Sequence, residues 1–152
     1  MRRVPRPPTP SPEGEGEVLR IAGYAALFDV ADGVKDTIRR GAFARTLALR
    51  QAQDRQEPLP LLWQHRGDRR IGTVESLAED ARGLRVVARI DRPGSRAAAA
   101  LRAGEVRGMS FGYHARGFRR TAGGRVLEEI ELLEISLVTH PMQPGARVHL
   151  VR

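Results

Sequence analysis

Two side chains with complementary chemistry, His65 and Ser110, stand far apart in the chain, and only folding can bring them together. A serine hydroxyl attacks a carbonyl carbon efficiently only when a base removes its proton, and imidazole is the most frequent base. His65 ends an apolar segment that contains Trp63, where burial would keep the imidazole neutral and able to accept a proton. The pair therefore predicts acyl transfer, with Ser110 as nucleophile and His65 as general base.

The surroundings of Ser110 allow two interpretations. Gly108 and Gly112 flank it closely, and small residues there would let a substrate backbone approach the strand. By residue type alone, however, a serine between glycines in a strand is more often structural. A lone histidine after a tryptophan is likewise more often a packed or surface residue. Residue types therefore leave the structural interpretation open.

The third member of such a site would be an acid, and the best position for it is Glu134. It lies in the otherwise apolar segment 132–138, where a carboxylate either faces solvent or is buried beside a partner, since an unpaired buried charge is costly. Glu131 shares this ambiguity, and His140 could orient the base in place of a carboxylate. We favour Glu134.

The pattern of apolar residues predicts that many short strands position these three groups. The predicted strands are 18–28, 61–65, 71–77, 83–90, 107–117, 125–139 and 145–151, and the predicted helices are 41–49 and 96–103. Ser95 is a plausible N-cap for the second helix, and Gly104 stands at its C-terminal end. The fold class is therefore mainly β with a few helices (α+β), arranged as a partly closed, mainly antiparallel barrel.

Composition predicts one domain with a tail. A chain of 152 residues suffices for one compact core. Residues 1–17 are rich in Pro, Gly, Glu and Arg and carry few large apolar side chains, so we expect a disordered arm before a folded domain at 18–152. No apolar stretch is long enough to cross a membrane or to form a signal peptide, which favours a cytoplasmic protein.

Net charge and amino-acid composition limit the kinds of metal, cofactor and partner that we expect this protein to bind. The chain has no cysteine, and its four histidines are scattered without metal-ligand spacing, so we expect no metal and no cofactor. The net charge of +8 comes almost entirely from arginines that are spread along the sequence rather than gathered in one stripe. Such a charge suits an acidic partner, and it does not favour nucleic acid as the primary partner.

Several short segments together resemble the HK97-type prohead proteases of tailed phages, whose fold is similar to that of herpesvirus assemblin. The matching segments are 23–28, 38–43, 62–65, 71–73, 80–84, 108–113 and 134–141. They occur in the family's order and cover residues 18 to 149. The sequence departs from the family at 142–144, where Met-Gln-Pro replaces the usual Ala-Asn-Pro.

The resemblance implies a serine endopeptidase with Ser110 as nucleophile and His65 as base, and we assign Glu134 as the acid. It also implies that the partners are the major capsid protein precursor and its scaffold domain, inside an immature capsid in the bacterial host. Self-cleavage and a homodimer are further expectations from the same family.

Two other functions compete with this one. The first is a catalytically inactive, basic assembly or scaffolding factor of the capsid, in which Ser110 would be unreactive. The second is a nucleic-acid binder of the OB type, which would need stacking aromatic side chains on one sheet face. The one Trp, two Tyr and four Phe are dispersed along the chain, which ranks this possibility last.

Overall fold

A computed structural model describes residues 18–52 and 58–152. The predicted arm at 1–17 lies outside the described residues. The elements in chain order are β1 (Leu19–Leu27), β2 (Asp36–Ile38), α1 (Ala44–Ala52), β3 (Pro60–Trp63), β4 (Arg66–Glu79), β5 (Gly83–Ile90), α2 (Arg96–Arg102), β6 (Gly108–Thr121), β7 (Gly124–Val138) and β8 (Val148–Val151). Within the described ranges, no helix has the length and apolar character needed to span a membrane.

Strand β7 is the centre of the architecture. Along one edge it pairs antiparallel with β6 over almost its whole length. Along the other edge it pairs in parallel with β2 near its beginning and with β3 near its end. Helix α1 covers the gap between those two partners, where the Ile130 and Leu132 amides donate to the Ala42 carbonyl and the Thr46 hydroxyl. The end of β3 and the length of β6 are thereby fixed on opposite sides of one strand.

The remaining strands form an antiparallel run that begins at β3. Each of β4, β5, β1 and β8 pairs antiparallel with the strand before it in this order. Alternation of buried and exposed residues in β1, with Leu19 and Ile21 buried around exposed Arg20, turns one face of the run to the core. All five strands of this run were predicted, although β4 begins at Arg66 rather than at residue 71 and β8 begins at Val148 rather than at residue 145.

The prediction of a partly closed antiparallel barrel is not confirmed, because the sheet is open and mixed. Its strands follow the order β2-β7-β3-β4-β5-β1-β8, with β6 on the far edge of β7. An isolated bridge between Gly108 and Arg147 brings β6 close to the start of β8 without a continuous ladder. Apolar periodicity identifies strands but carries no information on their direction, so the two parallel pairings were not predictable from it.

The two predicted helices are present. Helix α2 has the expected N-cap, since the Ser95 hydroxyl accepts a hydrogen bond from the Ala98 amide at 3.2 Å, and Gly104 follows it with φ of 75°. Helix α1 begins at Ala44 rather than at residue 41, and the Phe43 amide just before it donates to the Glu79 carboxylate. Strand β2 was not predicted, because its three residues follow the turn signal at Asp32-Gly33 and are too few to show an alternating pattern.

An ion pair ties the short strand β2 to β7. Asp36 is buried and receives two hydrogen bonds from the Arg125 guanidinium, at 2.9 and 2.7 Å, across the parallel register of these strands. This contact raises the pKa of Arg125 above its ordinary value. The guanidinium also lies 5.0 Å from the centre of the Phe118 ring. Removing either charge would leave the other uncompensated, so the pair stabilises the attachment of β2 to the start of β7.

Candidate active site

Ser110 lies on β6 directly opposite Ser136 of β7. Its strand neighbours Met109 and Phe111 pack in the core, so alternation turns Ser110 to the other face of the sheet. Directly opposed side chains on one face have Cβ atoms about 5 Å apart, so the two serines are close neighbours. Ser110 is 6% exposed, and it is therefore a sheltered hydroxyl at the surface of the sheet.

A bulge in β7 turns Glu134 to the same face as Ser110. The register between β6 and β7 shifts by one residue here, and Leu133 has no partner across the ladder. Before the bulge Leu132 faces the core, and after it Ile135 does, so the core-facing positions change from even to odd numbers at the bulge. Without this extra residue Glu134 would have the parity of the core. The bulge thus re-aims one carboxylate, a use of bulges that is common beside active sites.

His65 lies in the turn after β3, not at the end of the strand as predicted. Strand β3 ends at Trp63, and both Gln64 and His65 have left-handed backbone conformations, with φ of 52° and 60°. Their amides donate to β7, from Gln64 to the Leu137 carbonyl at 2.9 Å and from His65 to the Ser136 hydroxyl at 3.1 Å. These bonds hold the turn against β7 in a conformation that non-glycine residues rarely adopt. His65 and Ser110 are therefore both immediate neighbours of Ser136.

His65 and Glu134 are in direct contact. The distance from His65 Nδ1 to Glu134 Oε1 is 2.7 Å, and Glu134 Oε2 accepts a hydrogen bond from the Ser136 hydroxyl at 2.6 Å. A carboxylate only accepts, so Nδ1 carries the proton and Nε2 of the neutral ring is left as the acceptor. The Glu134 side chain is only 12% exposed, while that of His65 is 42% exposed. This is the tautomer and orientation that a general base needs.

The protonation of His65 is governed by Glu134. The hydrogen bond and the negative charge of that carboxylate raise the pKa of His65 above its ordinary 6.5, and partial burial opposes the rise. The sequence predicted a ring kept neutral by burial, whereas the hydrogen bond to Glu134 favours the charged ring and the side chain is only partly buried. The imidazole becomes an available base only as the pH rises above this elevated pKa.

The other two candidates for the acid lie elsewhere. Glu131 precedes the bulge and pairs with the Arg116 guanidinium on β6. His140 follows the end of β7 and is exposed. Of the three candidates, Glu134 is the one that the structure places against His65. Among the described residues, no three His, Asp or Glu side chains converge as metal ligands would.

Sequence reasoning missed Ser136, which contacts both His65 and Glu134. The signal was present, because a hydroxyl stands between the fully buried Ile135 and Leu137 in an apolar strand. A buried hydroxyl needs hydrogen-bond partners, and two of the predicted site residues supply them.

The glycines beside Ser110 serve a different purpose from the predicted one. A Cβ atom on Gly112 would lie 2.8 Å from Oε1 and 2.9 Å from Cγ of Glu134, so the space belongs to that carboxylate. A Cβ atom on Gly108 would lie 2.7 Å from both Pro141 and the Val138 carbonyl oxygen. The interpretation that both glycines admit a substrate backbone is wrong, since neighbouring side chains and backbone already fill the space.

Gly112→Ala is expected to lower kcat about 100-fold, because the added methyl group displaces Glu134 from His65 and misplacement of about 1 Å has that cost. The measurement is kcat on a cleavable substrate alongside thermal unfolding. Gly117→Ala is the matched control on the same strand, since its Cβ would only touch Glu129 at an ordinary 3.4 Å. Equal kcat in both variants would contradict the packing argument.

The family model described as caudovirus prohead serine protease matches residues 7–152. The prohead protease of Enterobacteria phage HK97 is 32% identical over 143 residues, which cover 89% of this chain and 61% of that protein. The chain thus spans about three fifths of the length of this relative.

Solved structures share the fold. The capsid assembly protease of bacteriophage T4 superposes with a TM-score of 0.63 at 17% identity, over 78% of this chain and 80% of that one. The varicella-zoster virus protease does so with a TM-score of 0.56 at 19% identity, over 88% and 64% of the two chains. The expected resemblance to phage and herpesvirus capsid proteases is confirmed for the fold. With the family model matching nearly its whole length, the chain belongs to the caudovirus prohead serine protease family.

Proposed function

We propose that this chain is a serine endopeptidase that cleaves the precursor of a major capsid protein, at its scaffold domain, during prohead maturation. The proposal rests on one observation, the contact of His65 Nδ1 with Glu134 at 2.7 Å. Ser110 lies on the neighbouring strand, opposite a residue of β7 that adjoins this contact. A base held in the correct tautomer next to a sheltered serine is what acyl transfer requires. Membership of a serine protease family supports the same chemistry.

The mechanism follows from the proton positions. His65 Nε2 takes the proton of Ser110 as its oxygen attacks the scissile carbonyl carbon. Glu134 stabilises the imidazolium that forms and keeps its proton on Nδ1. The imidazolium then protonates the departing amine, which leaves an acyl group on Ser110. Water repeats the sequence with His65 as base and releases the second product.

The substrate and its place come from the family. The HK97 relative is named a prohead protease and the T4 structure a capsid assembly protease, which supports a capsid protein as substrate. The proposed place of action is the interior of the immature capsid. Excess arginine on this chain suits docking onto an acidic scaffold segment. Self-cleavage and homodimerisation belong to the same proposal, which requires no cofactor.

The test is co-expression of this chain with the major capsid protein of the same phage, followed by intact-mass analysis of the capsid protein. Truncation is expected with the wild type and not with Ser110→Ala, and the mass difference locates the cleaved bond. Full-length capsid protein with both enzymes, in particles that still assemble, would overturn the proposal in favour of an inactive assembly factor. Truncation that persists with Ser110→Ala would overturn the assignment of the nucleophile.

A further inference from the structure

Ser136 is a fully buried hydroxyl at the junction of the three proposed catalytic residues. Its exposed fraction is 0%, and it is the cross-strand partner of Ser110. It also lies in the parallel register with Leu62 of β3, the strand that leads into the His65 turn. The proposed acyl-transfer steps do not use this hydroxyl.

Both hydrogen-bonding capacities of this hydroxyl are directed at the site. Its proton is donated to Glu134 Oε2 at 2.6 Å, and its oxygen accepts the backbone amide of His65 at 3.1 Å. The first bond holds the carboxylate, and the second holds the backbone of the residue that the carboxylate must meet. One hydroxyl thus sets both ends of the contact between Glu134 and His65.

The two oxygens of Glu134 are divided between two partners. Oε1 faces His65 Nδ1 at 2.7 Å, and Oε2 faces the Ser136 hydroxyl at 2.6 Å. A carboxylate held at only one oxygen can turn about its last side-chain bond, a torsion with a broad energy profile. Held at both, it keeps one oxygen on the imidazole. A hydrogen bond to a charged group is also stronger than one between neutral groups.

We propose that Ser136 is a positioning residue of the protease, which orients Glu134 toward His65 and fixes the turn that carries His65. The proposal rests on the proposed function for its kinetic consequences, but its geometric part concerns His65 and Glu134 alone. Ser136 is not an alternative nucleophile. Its proton is directed at Glu134, and Nδ1 of His65 is occupied by the same carboxylate.

The proposal predicts a change in the titration of His65. Glu134 of β7 is the group that raises the pKa of His65. When Ser136 no longer holds the carboxylate, the contact weakens and the pKa of His65 falls toward its ordinary value. Arg66 and Asp68, which lie at the start of β4 directly after this turn, pair with each other at 3.4 Å and are the same in every variant. A merely structural role for Ser136 would lower stability and leave the titration unchanged.

The first measurement is an NMR titration of His65 in the Ser110→Ala chain, with and without Ser136→Ala. Working in the Ser110→Ala background removes self-cleavage and makes the result independent of whether the chain is an active protease. The control is Thr46→Val, since Thr46 is another buried hydroxyl that accepts an amide of β7, at 3.2 Å from Leu132, outside the site. A fall in the pKa of His65 with Ser136→Ala and not with Thr46→Val is the expected result.

The second measurement uses the chain with Ser110 intact. Ser136→Ala is expected to lower kcat about 10-fold to 100-fold, with little change in KM, as the loss of one hydrogen bond to a charged group implies. Ser136→Thr, which keeps the hydroxyl, is expected to retain more of the activity than Ser136→Ala.

Two outcomes would overturn the role of Ser136. One is a His65 titration that does not move when the hydroxyl is removed. The other is an equal loss of kcat in the threonine and alanine variants with both folded. Failure of the proposed function has a different signature, because the wild type would then cleave nothing while the titration still reports on Ser136.

Discussion

His65→Asn is expected to lower kcat by about 10⁶-fold, the loss found when the nucleophile or base of a serine protease is removed. Asparagine suits this position because it tolerates the left-handed conformation better than most residues, and His65 has φ of 60°. The backbone amide that donates to Ser136 is kept as well. The variant therefore removes the base with little change in the turn.

Two measurements on His65→Asn distinguish a loss of catalysis from a loss of folding. The first is turnover of a peptide that spans the capsid cleavage site, together with the rate at which a fluorophosphonate labels Ser110. The second is thermal unfolding, which we expect to change little. His114→Asn is the matched control, since His114 is exposed on the same strand as Ser110 and faces Glu131 in the register. Full labelling of Ser110 in the absence of the imidazole would contradict a base-activated serine.

Most of the strands were predictable from local sequence, and the candidate site residues could be named from it, because both depend on residue type and short-range alternation. Strand β5 occupies 83–90 as predicted, and α2 has its predicted cap at Ser95. The sequence motifs also pointed to Glu134, although they left Glu131 and His140 open. The bulge at Leu133 gives Glu134 its face, and the position along β7 then decides its partner: Glu134 meets His65, whereas Glu131 meets Arg116. A bulge is defined by the register with another strand, and no local pattern reveals it.

The His65 turn was beyond sequence reasoning for a similar reason. Neither residue of the turn is a glycine, the type that adopts a left-handed conformation most readily, and the turn is held by the Gln64 and His65 amides donating to Leu137 and Ser136. Tertiary hydrogen bonds thus override the local tendency to continue the strand. The role of Gly112 was misjudged because the space beside a glycine is filled from another strand, here by Glu134.

Glu134→Gln is expected to lower kcat by about 10⁴-fold, as an amide does at the corresponding acid of other serine proteases. The reason lies in Ser136, whose hydroxyl donates to Oε2. In the variant the amide oxygen takes that bond, which turns the NH₂ group toward His65 Nδ1. The ring must then accept at Nδ1 and carry its proton on Nε2. That is the wrong tautomer for a base that must accept the proton of Ser110.

The same variant also moves the pH dependence, and the direction follows from the sign of the pKa change. In the wild type Glu134 raises the pKa of His65. We therefore expect kcat/KM to reach its plateau only at a pH above 6.5, the ordinary pKa of histidine. Without the carboxylate charge the pKa falls, so the residual activity of Glu134→Gln should reach its plateau at lower pH.

The stability of the folded protein depends on the same pKa difference. A raised folded pKa stabilises the protein fully below the unfolded value, and this contribution is lost as pH rises through the folded value. The variant should therefore lose stability mainly in acid.

The measurement is kcat/KM from pH 5 to 9, a range that brackets the pKa of the imidazole. Urea unfolding is measured at the lowest and the highest pH. Glu131→Gln is the control, because Glu131 pairs with Arg116, whereas Glu134 is the carboxylate that pairs with His65. If the rising limb of the plot of kcat/KM against pH stays in place while kcat falls, Glu134 orients the ring without setting its pKa. A limb that moves to higher pH would contradict the contact altogether. We expect a large fall in kcat together with a rising limb displaced to lower pH. This combination requires that Glu134 both sets the tautomer of the His65 ring and raises its pKa through the carboxylate charge.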